Sequence, residues 1–183
     1  LPLEMLNLKN IDLTINPLNR KLTSQELSEM VSEIDILIAG TENINELVLS
    51  QAKKLKLISR VGIGLDSVDL VQARKKGIYV TYTPDAPAPA VAELTFGLML
   101  SLLRSIHEVN TIMKDGNWKR IFGRRVSEIT IGVIGVGRIG SRVLRRIVPF
   151  GTPRILVNDI DTSLIQQKIA PELKLEWVDK KTI

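Results

Sequence analysis

Gly135, Gly137 and Gly140 stand in the spacing Gly-x-Gly-x-x-Gly, directly after the apolar run Ile129–Ile134 and directly before a segment with helical apolar spacing. A strand, a tight turn and a helix N-terminus in that order can hold the diphosphate bridge of a dinucleotide. Gly135 permits the sharp turn off the strand. Gly137 lets the backbone approach the pyrophosphate, and Gly140 lets the helix pack closely on the strand. The helix N-terminus then offers unpaired N–H groups and a partial positive charge to the phosphates. Asp159 closes the next apolar run, about 20 residues downstream, where an acid accepts hydrogen bonds from the ribose hydroxyls and repels a 2′-phosphate. NAD is therefore expected in preference to NADP. Asp161, two residues further on, is the alternative acid for this role.

A second loop with chemical potential is Gly62-Ile63-Gly64, which follows the apolar run Leu55–Val61. Ligands gather at the carboxyl ends of parallel strands, and backbone N–H groups there suit a carboxylate. A tight strand-to-helix turn with no ligand is the alternative reading. Arg60, just before the loop, is placed either to neutralise a phosphate or carboxylate or to join a surface ion pair. Glu93, inside an apolar helical stretch, reads as a structural carboxylate with a hydrogen-bond partner rather than as a catalytic group. His107 is the only histidine and reads as a helix-surface residue. One histidine and no cysteine exclude multi-histidine sites, thiolate metal sites and disulfides, so no metal is expected and a reducing, cytoplasmic setting fits.

The elements that must position these groups alternate along the chain. Ile11–Ile15 reads as a strand, and Thr23 with Glu26 has capping-box spacing that opens a helix through about Ser32. Asp35–Ala39 reads as a short strand, Asn45 caps a helix Glu46–Lys53, and Leu55–Val61 is the next strand. Asp69 opens a helix that stops at Gly77 with lysines in its last turn, and Ile78–Thr81 is a further strand. This strand–helix alternation specifies a mostly parallel, doubly wound α/β sheet. The proline-rich Tyr82–Pro89 breaks it and reads as an ordered crossover or hinge. Ala90 to about Asp115 then reads as one long helix ended by Gly116. Its first half is apolar on nearly every side, which predicts burial all round.

Composition narrows the function. Apolar residues make up 44% of the chain, enough for a core, and no apolar run approaches the ~20 residues of a membrane span. No basic-then-apolar leader is read at the N-terminus, and a first residue other than methionine suggests a start within a longer polypeptide. The formal net charge of +5 comes partly from Lys119, Arg120, Arg124, Arg125, Arg142, Arg145 and Arg146. These lack the interleaved aromatics of a nucleic-acid surface. A solvated face, or attraction for anionic small molecules, is the better reading, and no nucleic-acid or membrane partner is expected.

Five segments in one order carry a resemblance: RVGIGLDSVDL at Arg60–Leu70, GIYVTYTP at Gly77–Pro84, VAELTFGLMLSLLR at Val91–Arg104, KDGNW at Lys114–Trp118 and GVIGVGRIG at Gly132–Gly140. Together they resemble the D-isomer-specific 2-hydroxyacid dehydrogenases, above all the branch acting on D-3-phosphoglycerate in serine biosynthesis. The resemblance implies two doubly wound, Rossmann-like parallel-sheet domains, both incomplete in this chain. Residues 1–89 would be the first part of a substrate domain. Residues 90–183 would be the first half of an NAD-binding domain entered by a long interdomain helix. It also implies that the backbone of Gly62, Ile63 and Gly64 faces substrate and nicotinamide and that Ala92 lies near the cofactor, while Arg60 joins the substrate side only by its place before the loop. Arg138 and Ile139 would meet the pyrophosphate, beside Gly135, Gly137 and Gly140, and Asp159 the adenosine ribose.

Two departures from the family pattern stand out: Ser67 replaces the usual Asn, and the stretch Gly151–Asp159 is one residue longer than in many relatives. The family's catalytic arginine, glutamate and histidine are expected beyond Ile183, so no catalytic residue is assigned and the chain alone is expected to be inert. The implied reaction is NAD-dependent oxidation of a D-2-hydroxy acid or its reverse. The alternative is a dehydrogenase-like, NAD-sensing corepressor module without turnover. A homodimer is expected, because the long apolar helix would otherwise expose a large patch.

Overall fold

A computed structural model describes residues 2–7, 11–161 and 173–183. The chain divides into two compact units, Leu1–Thr83 and Pro84–Ile183. The first contains helices α1 (Pro2–Asn7), α2 (Ser24–Met30), α3 (Glu46–Gln51) and α4 (Leu70–Lys75), and strands β1 (Ile36–Ala39), β2 (Leu57–Arg60) and β3 (Tyr79–Tyr82). The strands form one parallel sheet in the order β1-β2-β3, with Leu37, Ile58 and Val80 in register. Parallel neighbours need crossover connections, and α3 and α4 supply them. Val31, Ile44, Val48, Leu49 and Ile58 are buried in its core, each worth about 2 kcal/mol of apolar burial.

The caps form as the spacing predicts. The Glu26 N–H donates to Thr23 Oγ1 while the Thr23 N–H donates to Glu26 Oε2 at 2.8 Å. Asn45 Oδ1 accepts from the Val48 N–H, and Asp69 Oδ1 from the Gln72 N–H at 2.9 Å. Arg20 adds an ion pair to Glu26 at 2.6 Å. With the two Thr23 donors, it holds the Glu26 carboxyl down at about 2. One expected element is missing: Ile11–Ile15 is not a strand. Ile11 and Ile15 are exposed, and among the described residues no ladder partner flanks the segment. Alternation alone does not make a strand where no edge receives it.

The second unit contains α5 (Ala88–Leu103), α6 (Ile106–Lys114) and α7 (Gly140–Ile147), and strands β4 (Thr130–Ile134), β5 (Arg154–Asn158) and β6 (Glu176–Trp177). Its strands are parallel in the order β4-β5-β6. Helices α5 and α7 pack on each other, and Ala92, Leu144, Ile147 and Val157 are fully buried in the core. Arg154 of β5 grips Glu176 of β6 through both carboxylate oxygens. Both sheets being parallel, with α3, α4 and α7 as crossovers between neighbouring strands, makes this a Rossmann-like α/β fold.

The single helix expected over 90–115 is two helices. It starts at Ala88, since prolines are tolerated in a first turn. It breaks at Arg104–Ser105, where the axis turns by 64° and Ser105 adopts φ 49°. The cause is tertiary: the Arg124 N–H donates to Leu103 O at 2.8 Å, and Gly123 lies so close to Leu103 O and the Arg104 Cα that no side chain fits there. The expected all-round burial of α5 is also not found. Ala88 and Ala92 are buried, but Leu94, Leu98 and Leu102 are 62%, 56% and 69% exposed. Residues spaced by four lie on one helix face, so one side is core and the other a bare leucine stripe. Among the described residues no single helix is long and apolar enough to cross a membrane.

Candidate functional site

In the second unit, β4 ends at Ile134 and the chain turns at Gly135, whose φ of 86° strains any residue with a side chain. The Gly135 N–H donates to Asn158 O at 2.8 Å, which pins the turn to the end of β5. Gly140 then opens α7 hard against that turn: a Cβ there would lie 2.0 Å from Gly135 O. At Gly137 a Cβ would meet nothing within 4 Å, so the outer side of the loop is open. Ser141 caps inward, its Oγ donating to Gly137 O at 2.7 Å. Among the described residues the N–H groups of Gly137, Arg138 and Ile139 find no acceptor. The result is a backbone corner of N–H donors without acceptors at a helix N-terminus, suited to an anion.

Asp159 stands beside this corner, just past the end of β5. Its Oδ2 accepts from the Val136 N–H at 2.6 Å and its Oδ1 from the Asp161 N–H at 3.1 Å. These backbone donors, Val136 first, hold its carboxyl below the usual aspartate range. It is therefore a carboxylate at neutral pH, and each oxygen retains lone-pair capacity for a further donor. Asp161 lends Asp159 its N–H, so the two acids stand together at the strand end.

Arg138, between Gly137 and Ile139, meets Asp85: Nε lies 3.0 Å from Oδ1. Glu93 of α5 pairs with Arg146 of α7 at 2.8 Å, the structural carboxylate that the residues suggested, though it is exposed rather than buried. Ala92 is fully buried in the core cluster that includes Val136, so its side chain presents no surface to a ligand. His107 is exposed on α6.

In the first unit, the Gly62–Gly64 loop leaves the carboxyl end of β2. The Gly62 N–H is not available to a ligand as the sequence suggested, because it donates to Thr83 Oγ1 at 2.8 Å. The Ile63 and Gly64 N–H groups have no acceptor among the described residues. The Arg60 guanidinium lies over Gly62, where it leaves no space for a Cβ, and its Nη1 donates to Val61 O. Its Nε is buried without a partner, and among the described residues no carboxylate pairs with it. An unpaired cation with an orphaned donor beside two bare N–H groups is a place for an anion. Ser67 Oγ is likewise buried without a partner. Among the described residues no cluster of His, Cys, Asp or Glu is placed to hold a metal.

Sequence reasoning missed Thr83 and Asp85. A threonine after a strand carries no signal, and an aspartate in a proline-rich turn reads as turn chemistry.

Residues 3–178 match the sequence model of the D-isomer specific 2-hydroxyacid dehydrogenase catalytic domain. The chain is 40% identical over 162 residues to D-3-phosphoglycerate dehydrogenase of Methanocaldococcus jannaschii, covering 86% of this chain and 30% of that protein. It is 35% identical over 182 residues to hydroxypyruvate reductase of Thermotoga maritima, covering 98% and 56%. In structure it is similar to D-lactate dehydrogenase of Aquifex aeolicus complexed with NAD and lactic acid. That likeness has a TM-score of 0.76 at 29% identity and covers 97% of this chain and 52% of that one. The chain thus spans about half the length, or less, of these relatives.

Proposed function

This chain belongs to the D-isomer-specific 2-hydroxyacid dehydrogenase family, and from that premise we propose that it carries the nucleotide corner and the substrate-anion loop of an NAD-dependent oxidoreductase. The observation that carries the reading is the corner itself. Three N–H groups at the α7 N-terminus, an open side at Gly137 and the Asp159 carboxylate fit a diphosphate and an adjoining ribose diol. When bound, the nicotinamide group supplies hydride exchange with C2 of a D-2-hydroxy acid or its 2-oxo partner. Gly137, Arg138 and Ile139 hold the diphosphate by backbone donors. Asp159 accepts from the ribose and, being charged, disfavours a 2′-phosphate.

The substrate end rests on Arg60 and the loop at Ile63 and Gly64. Arg60 brings an unpaired guanidinium with a buried, unsatisfied Nε, which suits a carboxylate or a phosphate. D-3-phosphoglycerate, with both groups, is the substrate this charge favours, and 40% identity to a phosphoglycerate dehydrogenase supports it. Hydroxypyruvate and glyoxylate are the rivals that other relatives raise. The two units are then a substrate domain and an NAD domain. The bare leucine stripe of α5 is the face on which a second copy packs, and a chain with no cysteine suits the cytoplasm.

The sole histidine is exposed on α6, and the groups that move the proton are not assigned among the described residues. Calorimetric titration with NAD and NADP tests the corner: NAD binds more tightly, and equal affinities remove Asp159 from its role. Assaying the intact protein on phosphoglycerate, hydroxypyruvate and glyoxylate tests the substrate. An intact protein that binds NAD yet turns over none of them is the corepressor-like sensor instead.

A further inference from the structure

We propose that Asp85 is a positioning residue for Arg138 in nucleotide binding, an inference that rests on the dinucleotide reading of the Gly135–Gly140 corner. Arg138 sits within that corner, and Asp85 Oδ1 holds its Nε at 3.0 Å. The choice of nitrogen matters. A guanidinium has five N–H donors, and a carboxylate on Nε leaves the four on Nη1 and Nη2 available. The contact is an ion pair without hydrogen-bond geometry, those four donors have no acceptor among the described residues, and the side chain is 57% exposed. Arg138 is therefore anchored at its inner end and presents its fork outward, beside the bare N–H groups of Gly137, Arg138 and Ile139.

Asp85 is a stiff anchor. It lies between Pro84 and Pro87, whose rings fix their own φ angles, and its carbonyl accepts from the Ala88 N–H at 3.1 Å as α5 begins. A long arginine side chain loses much rotamer freedom on gripping a ligand. Asp85 removes part of that loss before the ligand arrives. Its charge also repels a diphosphate, and salt attenuates that repulsion only beyond about 8 Å, so the gain from pre-orientation has to exceed it. Pre-orientation prevails, and the net effect has the size of an exposed ion pair.

The test is calorimetric titration of the full chain with ADP-ribose, which carries the diphosphate, and with adenosine, which does not. Asp85→Ala weakens ADP-ribose binding about threefold to fivefold and leaves adenosine unchanged. Asp85→Glu, which keeps the charge that pairs with Arg138, restores most of the loss. In an Arg138→Ala background, Asp85→Ala has no further effect. Tighter or unchanged ADP-ribose binding by Asp85→Ala overturns the proposal, as does an equal fall for adenosine, which marks a structural role. A wild-type chain that fails to bind ADP-ribose overturns the dinucleotide reading itself, and this proposal with it.

Discussion

Alanine at Gly137 and alanine at Gly140 each add one methyl group at positions three residues apart, yet the corner predicts different effects on the unliganded chain. At Gly140 the new Cβ would sit 2.0 Å from Gly135 O, where real contacts stay above 3.0 Å. The neighbour is backbone pinned to β5, so the turn must open by about 1 Å, at an overpacking cost of about 1–3 kcal/mol. At Gly137 the Cβ meets nothing within 4 Å and φ is not positive, so stability stays within about 0.5 kcal/mol of wild type. The methyl does, however, fill the space through which a diphosphate reaches the corner. Losing one charge-assisted hydrogen bond of about 1.5–3 kcal/mol raises the NAD dissociation constant by roughly 10- to 100-fold, at 1.4 kcal/mol per tenfold. Urea unfolding and calorimetric NAD titration on the three proteins read both effects. Gly137→Ala is expected to lose affinity at full stability, and Gly140→Ala to lose both. A Gly137→Ala chain that binds NAD like wild type refutes the placement of the diphosphate.

Four further outcomes follow from the same structure. Asp159→Asn keeps an acceptor for the Val136 N–H and removes the charge, so the preference for NAD over NADP in paired titrations falls about 5- to 10-fold, the scale of a screened charge–charge interaction; an unchanged ratio assigns the discrimination elsewhere. Leu98→Glu places a charge in the exposed stripe of α5, and the proposed packing of a second copy there predicts that sedimentation of the intact protein shifts to a smaller species; an unchanged profile removes that face from self-association. Thr23→Ala removes the acceptor at the α2 N-terminus and lowers unfolding free energy by about 1 kcal/mol in urea. Glu26, held down at about 2 from its ordinary 4.5, contributes stability that is fully present above pH 4.5 and is lost as pH falls toward 2. The difference between wild type and Glu26→Gln in acid melts is expected to shrink across that window.

What the sequence made legible has a common physical basis. Thr23 with Glu26, Asn45 and Asp69 act on N–H groups three residues away, so spacing alone determines whether they can reach. The Gly135–Gly140 corner is local for the same reason. What was not legible depends on segments distant in the chain. Ile11–Ile15 has a strand's alternation but no edge to join. The helix from Ala88 has every propensity to continue past Arg104, and it stops because Arg124, some twenty residues later, takes the Leu103 carbonyl. The apolar circumference of α5 signalled that every side must be covered, but not that this chain covers only one of them. Thr83 on Gly62 and Asp85 on Arg138 are pairings of the same distant kind.

The two candidate loops share a position and differ in how they attract an anion. Each leaves the carboxyl end of a parallel strand, β2 or β4, and leads toward a helix. At the Gly135 corner the attraction comes chiefly from fixed dipoles, N–H groups whose directions the backbone sets, with Arg138 paired to Asp85. Dipoles of fixed direction favour a ligand of fixed shape, and the diphosphate bridge of a dinucleotide is one. At the Gly62 loop the position is reversed: Thr83 takes one N–H, and the unpaired charge of Arg60 dominates. A lone guanidinium attracts carboxylate and phosphate alike. On the proposed reading the corner would supply selectivity for one cofactor, while the Arg60 loop would accept small acids of either kind. Selection among those acids must then come from groups other than Arg60. Substituting Arg60 is accordingly expected to weaken all of the acids together rather than to exchange one for another.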